Sequence, residues 1–563
     1  MLHPTGFPPG WNGLATTPPL GWRSWNSFGN RVSADNFNAT MQAMAAKLWT
    51  VDGKSNVSLI DIGYATAGID EGWEACGQGV NGTQHDAAGN PVINDKFPDM
   101  AGLVKQGHAL GLKVGWYENG CACGERHELE INYEGDVRKL HELGFDGVKL
   151  DGCGAQRNMT KYAELMKATG KSYLTENCHW GRCTEGDDSS CPTADWCPFN
   201  WYRTSGDINS SPMSWYANLQ TTINFQDRAA PLSRPGCWAY PDMLEVGRIM
   251  VGGSMHYGWN RAHFGAWCVV SAPLILGLDL TDGAAVGAIV DVISNKEAIA
   301  INQEWAGHPG GLVSSSLAAA VGFPAAVKCD ASDPTQKGWK LQPGAAGTVA
   351  LQAPGGGCLA IHGAGYPGGA GGLLLAECNS SDASQAFTYD AAAKQLAQLP
   401  TKRNCVDVHN NGPLVWMYGC STGANDMLSL DDGAAKFEQK GLCLGIVDTD
   451  PAGATFAVST QAWAKPLASS VAVLLVNPDA KPHTIRVPLS ALPLTGGGAN
   501  LTSGGPLQVR DVWAKADRAP LAKGAAALSM TVPALDSAFV RLTPTAEEAK
   551  ELVVEVASTH EGV

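Results

Sequence analysis

The chain has 563 residues, 44% of them hydrophobic and 17% charged, with a formal net charge of −15. That length exceeds one compact core and predicts several domains. The acidic balance without a Lys/Arg run excludes nucleic acid and anionic lipid as partners, and the most apolar stretch, Phe264 to Leu280, contains Pro273 and is too short for a membrane span.

From residue 17 to about 310, short apolar runs alternate with helical patterns. The runs include Leu59–Ile62, Tyr64–Ile69, Leu112–Tyr117, Gly147–Leu150, Ser172–Thr175, Trp201–Thr204, Cys237–Tyr240 and Ala272–Leu276. Between them, stretches such as Asp136–Leu143 and Met159–Ala168 space apolar residues by three and four, as an amphipathic helix does. The alternation predicts an α/β fold with a parallel sheet, and its length suits a (β/α)8 TIM barrel over residues 1–312. A doubly wound sheet is the alternative, but no G-x-G-x-x-G follows the first strand.

Near residue 325 the texture changes to short β-rich runs with Gly and Pro, and an internal repeat follows. Cys358-Leu359-Ala360-Ile361 recurs at Cys405-Val406-Asp407-Val408 and at Cys443-Leu444-Gly445-Ile446. A second element, Cys378 then Gln385-Ala386-Phe387, recurs as Cys420 then Asp426-Met427-Leu428, and first as Cys329 then Gln336 to Trp339. The third lobe is therefore split, its second half first and its first half last. Such a ring closes with its ends together, as an inserted domain requires, and predicts one disulfide per lobe: Cys358–Cys378, Cys405–Cys420 and Cys329–Cys443. The insert spans 325–452. Strand-like runs at Val471–Val476, Thr484–Val487, Leu507–Val512 and Phe539–Leu542 predict an antiparallel β-sandwich from 313–324 and 453–544, with an acidic tail at 545–563.

Sixteen Cys and N-x-[ST] sequons at Asn38, Asn56, Asn81, Asn158, Asn209, Asn379 and Asn500 point to an oxidising compartment: secreted, cell wall or lysosome/vacuole. The opening Met1-Leu2-His3-Pro4 does not have the charged-then-apolar form of a secretory leader.

In a barrel of this kind the reactive face lies at the C-terminal ends of the strands. Trp25 follows the first run, Asp70 and Glu71 end the second, and Tyr117 ends the third. Lys149 and Asp151 end the fourth, Cys178-His179-Trp180 follow the fifth, Arg203 and Asp207 the sixth, and Asp242 the seventh. A single strand-end Asp is often only a helix cap. Polar groups on so many neighbouring strand ends imply a site.

These residues also carry a resemblance. Thr17-Pro18-Pro19-Leu20-Gly21-Trp22-Arg23-Ser24-Trp25-Asn26, Lys149-Leu150-Asp151-Gly152-Cys153 and Arg203-Thr204-Ser205-Gly206-Asp207-Ile208 are similar to glycoside hydrolase family 27, the melibiase-type α-galactosidases. Later matches are Pro241-Asp242-Met243-Leu244, His263-Phe264, Ala300-Ile301-Asn302-Gln303 and Val509-Arg510-Asp511-Val512-Trp513. The resemblance implies a retaining exo-glycosidase that needs neither metal nor organic cofactor. Asp151 would attack the anomeric carbon, and Asp207 would first protonate the leaving oxygen and then activate water. Lys149 shares the strand face of Asp151 and would keep it ionised. The resemblance further implies that Trp25 packs on the sugar, that Asp70 and Glu71 take its 4- and 6-hydroxyls, and that Lys149 and Asp242 bind further hydroxyls. Tyr117, Cys153 and His179 would line the pocket, with Arg203 near the 2-position. It implies disulfides from Cys121 or Cys123 to Cys153 and from Cys178 to Cys197.

Two positions depart from the family pattern. Glu71 stands where a second Asp is usual, and its extra methylene reaches toward the sugar's C6 hydroxymethyl. The reading is hydrolysis of terminal α-D-galactosides, with a β-L-arabinopyranosidase as the alternative and a catalytically silent galactose-binding lectin as a further one. His179 replaces the usual Glu near the 2-substituent. It is not read as a zinc ligand, because no compact Cys/His set surrounds it.

The insert resembles a ricin-type β-trefoil lectin. Only its middle lobe has the expected sugar-binding pattern, with Asp407, Trp416 as stacking platform, and Asn425 and Asp426 as further partners. The matching positions in the other lobes are Ala360 and Gly445. Galactose-containing oligosaccharides, polysaccharides or glycolipids are the partners this combination implies.

Overall fold

A computed structural model describes residues 6–545, apart from 119–122, 182–189, 228, 317–321, 363–370, 400–402, 409–414, 422–424, 432, 448–459 and 503–504. Eight parallel strands form the first sheet: β1 Leu20–Arg23, β2 Thr66–Gly68, β3 Lys113–Glu118, β4 Gly147–Asp151, β5 Leu174–Cys178, β6 Trp201–Arg203, β7 Trp238–Tyr240 and β8 Leu274–Leu276. They pair in chain order, with β8 returning beside β1, and a parallel bridge from Leu244 to Leu276 closes the ring just past β7. Helices cover the outside, among them α1 Glu130–Glu142, α2 Met159–Ala168, α3 Tyr257–Val269 and α4 Lys296–Gln303.

One predicted strand is a helix. Leu59–Ile62 forms a single helical turn, because Ser58 and Asp61 make a reciprocal capping box: Asp61 N–H donates to Ser58 Oγ at 3.1 Å, and Ser58 N–H to Asp61 Oδ2 at 2.9 Å.

The register sets what faces the barrel axis. Gly68, Gly115 and Gly147 lie side by side on β2, β3 and β4. Three neighbours without side chains leave a cavity of about 340 Å³ in the lower barrel, bounded by Trp22, Val114, Trp201 and Ile275 among others. Gly68 also makes room for Arg23, whose Cζ lies 3.2 Å from where a Cβ would stand. One layer up, Tyr117, Lys149, Glu176 and Trp201 occupy adjacent positions on β3 to β6. The next layer begins with Asp151 beside Cys178.

The insert is a β-trefoil held by Cys329–Cys443, Cys358–Cys378 and Cys405–Cys420. Each lobe repeats one strut: the backbone N–H after the lobe's second-element Cys donates to a buried side chain. The pairs are Asp330 to Gln336 Oε1 (2.9 Å), Asn379 to Gln385 Oε1 (2.9 Å) and Ser421 to Asp426 Oδ2 (2.6 Å). Phe323–Lys328 and Leu442–Val447 pair antiparallel, so the insert's two ends lie together.

Gly311–Ser316 joins Thr460–Pro466, Val471–Asn477, Asp536–Pro544, Leu507–Asp511 and Ala516–Leu521 in a six-stranded antiparallel sheet. Its core includes Val473, Leu475, Val487 and Val540, while the alternate residues Leu474 and Val476 pack with the barrel core. This two-sided burial explains the unbroken apolar run of Val471–Val476.

Candidate active site

Asp151 ends β4 with its carboxylate split between two environments. Tyr117 Oη donates to Asp151 Oδ2 at 2.9 Å, and Oδ1 is buried without a hydrogen-bond partner among the described residues. Burial raises the Asp151 pKa above the usual aspartate value, while Lys149 and the Tyr117 bond oppose the rise. Lys149 Nζ donates to Asp70 Oδ2 at 3.0 Å and lies 5.0 Å from the centre of the Tyr117 ring. Burial works against its charge, but Asp70, Asp151 and Glu176 outweigh that and raise its pKa.

Asp70 is fully buried. Its backbone N–H donates to Ser24 Oγ at 2.9 Å, and its Oδ1 accepts from Glu71 N–H at 3.0 Å. Burial would lift its pKa, yet Lys149 and Arg23 hold it below the ordinary value. Arg23 Nη2 also donates to Glu176 Oε2 at 3.1 Å. Arg23 and Glu176 were not singled out from the sequence. Their signal was a charged residue inside a short barrel strand, an arrangement that persists only when the charge is paired. Glu71 is half-buried beside these groups, and burial, then Asp70 and Asp151, push its pKa up.

On the other side, Arg203 Nη2 is 2.9 Å from both Asp207 Oδ1 and Asp242 Oδ2. Asp242 also accepts from Ile208 N–H at 2.8 Å, which ties the Asp207 loop to β7. Burial raises the Asp242 pKa and Arg203 opposes it. The Asp207 side chain is 62% exposed, open to an entering molecule, whereas Asp242 is buried. Trp25 opens a helical turn just past β1 and is half-buried. His179 follows β5, with Nε2 at 3.4 Å from Cys191 Sγ. The strand ends thus bring together one half-bonded carboxylate, one exposed carboxylate on an arginine, and a buried Lys–Asp pair. That set can supply a nucleophile, a proton carrier and hydroxyl anchors. Among the described residues no group of His, Cys, Asp and Glu could hold a metal ion.

The disulfides near the site differ from those expected. Cys197 bonds to Cys237, and Cys178 is a free buried thiol. Cys178 stands on the barrel-facing side of β5, where Arg203 Nη1 approaches its sulfur at 3.4 Å, while Cys197 precedes β6 beside the chain entering β7. Cys123 bonds to Cys76 and so does not brace Cys153. Cys153 is disulfide-bonded, and the other expected partner, Cys121, lies outside the described residues. Cys268 is free and buried.

In the trefoil, Trp416 is not an open stacking face. It is 6% exposed, its Nε1–H donates to Asp407 Oδ1 at 2.8 Å, and its ring stacks on Tyr418, the 43% exposed aromatic of that strand. Cross-strand pairing of Asp407 with Trp416 turns both toward each other. Asp426 is buried, and its Oδ2 is engaged in the lobe strut. Asn425 is partly exposed and contributes its carbonyl to Val408 N–H at 3.0 Å.

Comparison with known proteins agrees with this architecture. Residues 17–304 match the family model described as alpha galactosidase A, 324–465 a ricin-type beta-trefoil lectin domain, and 458–542 an alpha galactosidase C-terminal beta sandwich domain. The chain is 30% identical over 314 residues to an alpha-galactosidase of Oryza sativa subsp. japonica, covering 54% of this chain and 67% of the relative. It is 32% identical over 308 residues to alpha-galactosidase 3 of Arabidopsis thaliana, covering 53% and 63%. These alignments thus span about two thirds of the plant relatives' length. The fold is similar to that of alpha-galactosidase I from Mortierella vinacea, with a TM-score of 0.55 at 18% identity, covering 95% of this chain and 99% of that one. It is also similar to a β-L-arabinopyranosidase from Geobacillus stearothermophilus, with a TM-score of 0.51 at 13% identity, covering 94% and 97%. With eight parallel strands presenting two carboxylates at one rim, and a family model matched across that whole barrel, the chain belongs to the melibiase-type alpha galactosidase family of glycoside hydrolases.

Proposed function

We propose that the protein hydrolyses terminal α-D-galactosides of oligosaccharides, polysaccharides or glycolipids with retention of configuration. Asp151 is the nucleophile and Asp207 the acid/base. The observation that carries this reading is the state of Asp151, a buried carboxylate with one oxygen held by Tyr117 and the other unpartnered at a strand end. Asp207 hands a proton to the leaving oxygen as the Asp151–sugar bond forms, then takes one from water as that bond breaks. Asp70 and Lys149 anchor hydroxyls of the same sugar, and Trp25 offers it an apolar face. Asp151→Asn should lower kcat for an aryl α-galactoside on the order of a thousandfold or more. Proton NMR of the first sugar released by the wild type should show the α anomer. Substantial activity in the variant, or a β anomer first, would remove Asp151 from the nucleophile's role.

Glu71 favours a second reading. It is half-buried next to Asp70 and Asp151, where a C6 hydroxymethyl would have to fit. The ratio of kcat/KM for 4-nitrophenyl α-D-galactopyranoside over 4-nitrophenyl β-L-arabinopyranoside decides between them. A ratio well above one is expected for an α-galactosidase. A ratio below one makes the enzyme an arabinopyranosidase. The disulfides fit work in an oxidising compartment, outside the cytosol or in a vacuole.

A further inference from the structure

Behind the proposed nucleophile, on the outer side of the barrel wall, lies a set of buried carboxyls with too few donors. Tyr117 points into the barrel, so Glu118, the next residue of β3, points out of it. Glu118 is 4% exposed, and both its oxygens lack a hydrogen-bond partner among the described residues. The titratable groups felt around it come from four elements: Glu74 after β2, Glu125 after β3, Asp136 on α1 and Tyr162 on α2. One oxygen each of Glu74 and Glu125 is likewise buried and unpartnered.

Among the described residues, the one cation of the set is already engaged. His85 places Nδ1 2.6 Å from Glu125 Oε1 and Nε2 2.7 Å from Asp136 Oδ1, and Tyr162 Oη donates to Asp136 Oδ2 at 2.6 Å. These partners raise the His85 pKa to about 9 despite its burial, so it is an imidazolium at neutral pH. Among the described residues, Glu118 and Glu74 are left without a counter-charge. Burial, then the neighbouring carboxylates, push Glu118 well above the usual glutamate value, and burial lifts Glu74 to about 7. An unpaired buried charge is so unfavourable that such a group keeps its proton instead.

Both segments that carry the reaction site rest on this set. Glu74 Oε2 accepts from Gly72 N–H at 2.7 Å, beneath the Asp70–Glu71 turn. Trp73 Nε1–H donates to the Tyr117 carbonyl at 2.9 Å, and Tyr117 holds Asp151.

We infer that Glu118 is a positioning residue: as a neutral carboxyl it keeps the end of β3 and the Asp70–Trp73 turn seated, and its ionisation brings the alkaline limit of turnover below the one that Asp207, as proton donor, would set. The inference builds on the assignment of Asp151 as nucleophile. Losing the proton to solvent puts a second uncompensated charge among Glu74, Glu125 and Asp136. Their repulsion is relieved only by moving β3 or the turn, and Tyr117 then releases Asp151. The native state binds this proton more tightly than the unfolded chain. Stability is therefore full at acid pH and falls as pH rises past the ordinary carboxyl range through the raised folded value.

Glu118→Gln keeps the shape and cannot ionise. With an aryl α-galactoside, the alkaline midpoint of kcat should move up by about one pH unit, with KM on the acid plateau unchanged. The fall of Tm with rising pH should flatten in the same variant. Infrared difference spectra offer a readout that needs no substrate: the wild type at pH 6 should show a protonated-carboxyl C=O band that Glu118→Gln lacks. An unmoved alkaline midpoint in a folded Glu118→Gln protein, or no such band in the wild type, overturns the inference. So does a calcium-dependent rise in wild-type Tm that the variant loses, since an ion would then stand where we place a proton. If Glu118→Gln does not fold, Glu74→Gln and the wild-type spectrum carry the test. Failure of galactoside hydrolysis itself would strike the functional reading alone, because the spectrum and the melting profile do not depend on it.

Discussion

Lys149 governs Asp151 from two directions. Its charge opposes the effect of burial on the Asp151 carboxyl, and its bond to Asp70 fixes where that charge sits. As the proposed nucleophile, Asp151 must be ionised, so kcat/KM should fall as pH drops through its pKa, which lies above the usual aspartate value. Lys149→Met removes the lowering influence. The acid limb should then shift to higher pH by about one unit or more, read from a pH–rate profile, alongside a raised KM if Lys149 is the hydroxyl anchor proposed above. The strand-end position of Asp151, Asp207, Asp242 and Lys149 was legible in the sequence, because an apolar run ending in a carboxylate is a local pattern. The pairing around them was not. That Arg203 divides between Asp207 and Asp242, or that Arg23 reaches from the end of β1 to Glu176 on β5, depends on barrel register, which no single segment encodes. The Cys178–Cys197 expectation failed for the same reason. Which cysteines bond depends on where their Cα atoms lie, and Cys178 faces the barrel interior.

At the scale of the element, the row Gly68–Gly115–Gly147 has two opposite meanings. A Cβ on Gly115 would find its nearest atom at 3.7 Å, ordinary contact at the edge of the lower cavity. A Cβ on Gly68 would press on the Arg23 guanidinium. Gly115→Ala should therefore raise Tm by about a degree, through added packing and a less flexible unfolded chain. Gly68→Ala should lower Tm and displace Arg23 from Glu176; equal shifts in the two variants would refute this account of the cavity. Strand existence was largely readable from apolar runs. Leu59–Ile62 was misread because four apolar-rich residues fit a strand or a helical turn equally, and the deciding signal lay in the flanking Ser58 and Asp61. In the trefoil, the repeat exposed the lobes, but it could not tell a sugar contact from a strut. Asp426 occupies the place that Gln336 and Gln385 fill in the other lobes, and it does their work.

For the whole molecule, the sandwich is anchored to the barrel by more than apolar packing. Arg261 on α3 forms two bonds to Asp536, at 2.8 and 2.7 Å, and Lys465 is buried against the carbonyls of Ile301 and Asn302 at the end of α4. The trefoil is attached differently. Ser316 and Thr460, the residues that flank it, are direct partners in the sandwich sheet. Replacing 317–459 by a short hairpin turn should leave kcat/KM for a small aryl galactoside within about twofold of wild type. The same variant should lose any retention on galactose-agarose. Loss of hydrolysis would mean that the insert supports the catalytic cleft.

The adjacency of the insert's ends also orders events in time. Pairing Gly311–Ser316 with Thr460–Pro466 in an open chain means closing a loop of about 140 residues, whereas a trefoil already zipped along Phe323–Lys328 and Leu442–Val447 leaves about 20 to close. The difference is about 1.7 kcal/mol of chain entropy, enough to favour one route over the other about twentyfold. During folding, the insert is then the element that brings the two halves of the sandwich within reach. A variant whose trefoil closes slowly should therefore acquire its hydrolytic activity slowly, although no residue of the reaction site has been touched.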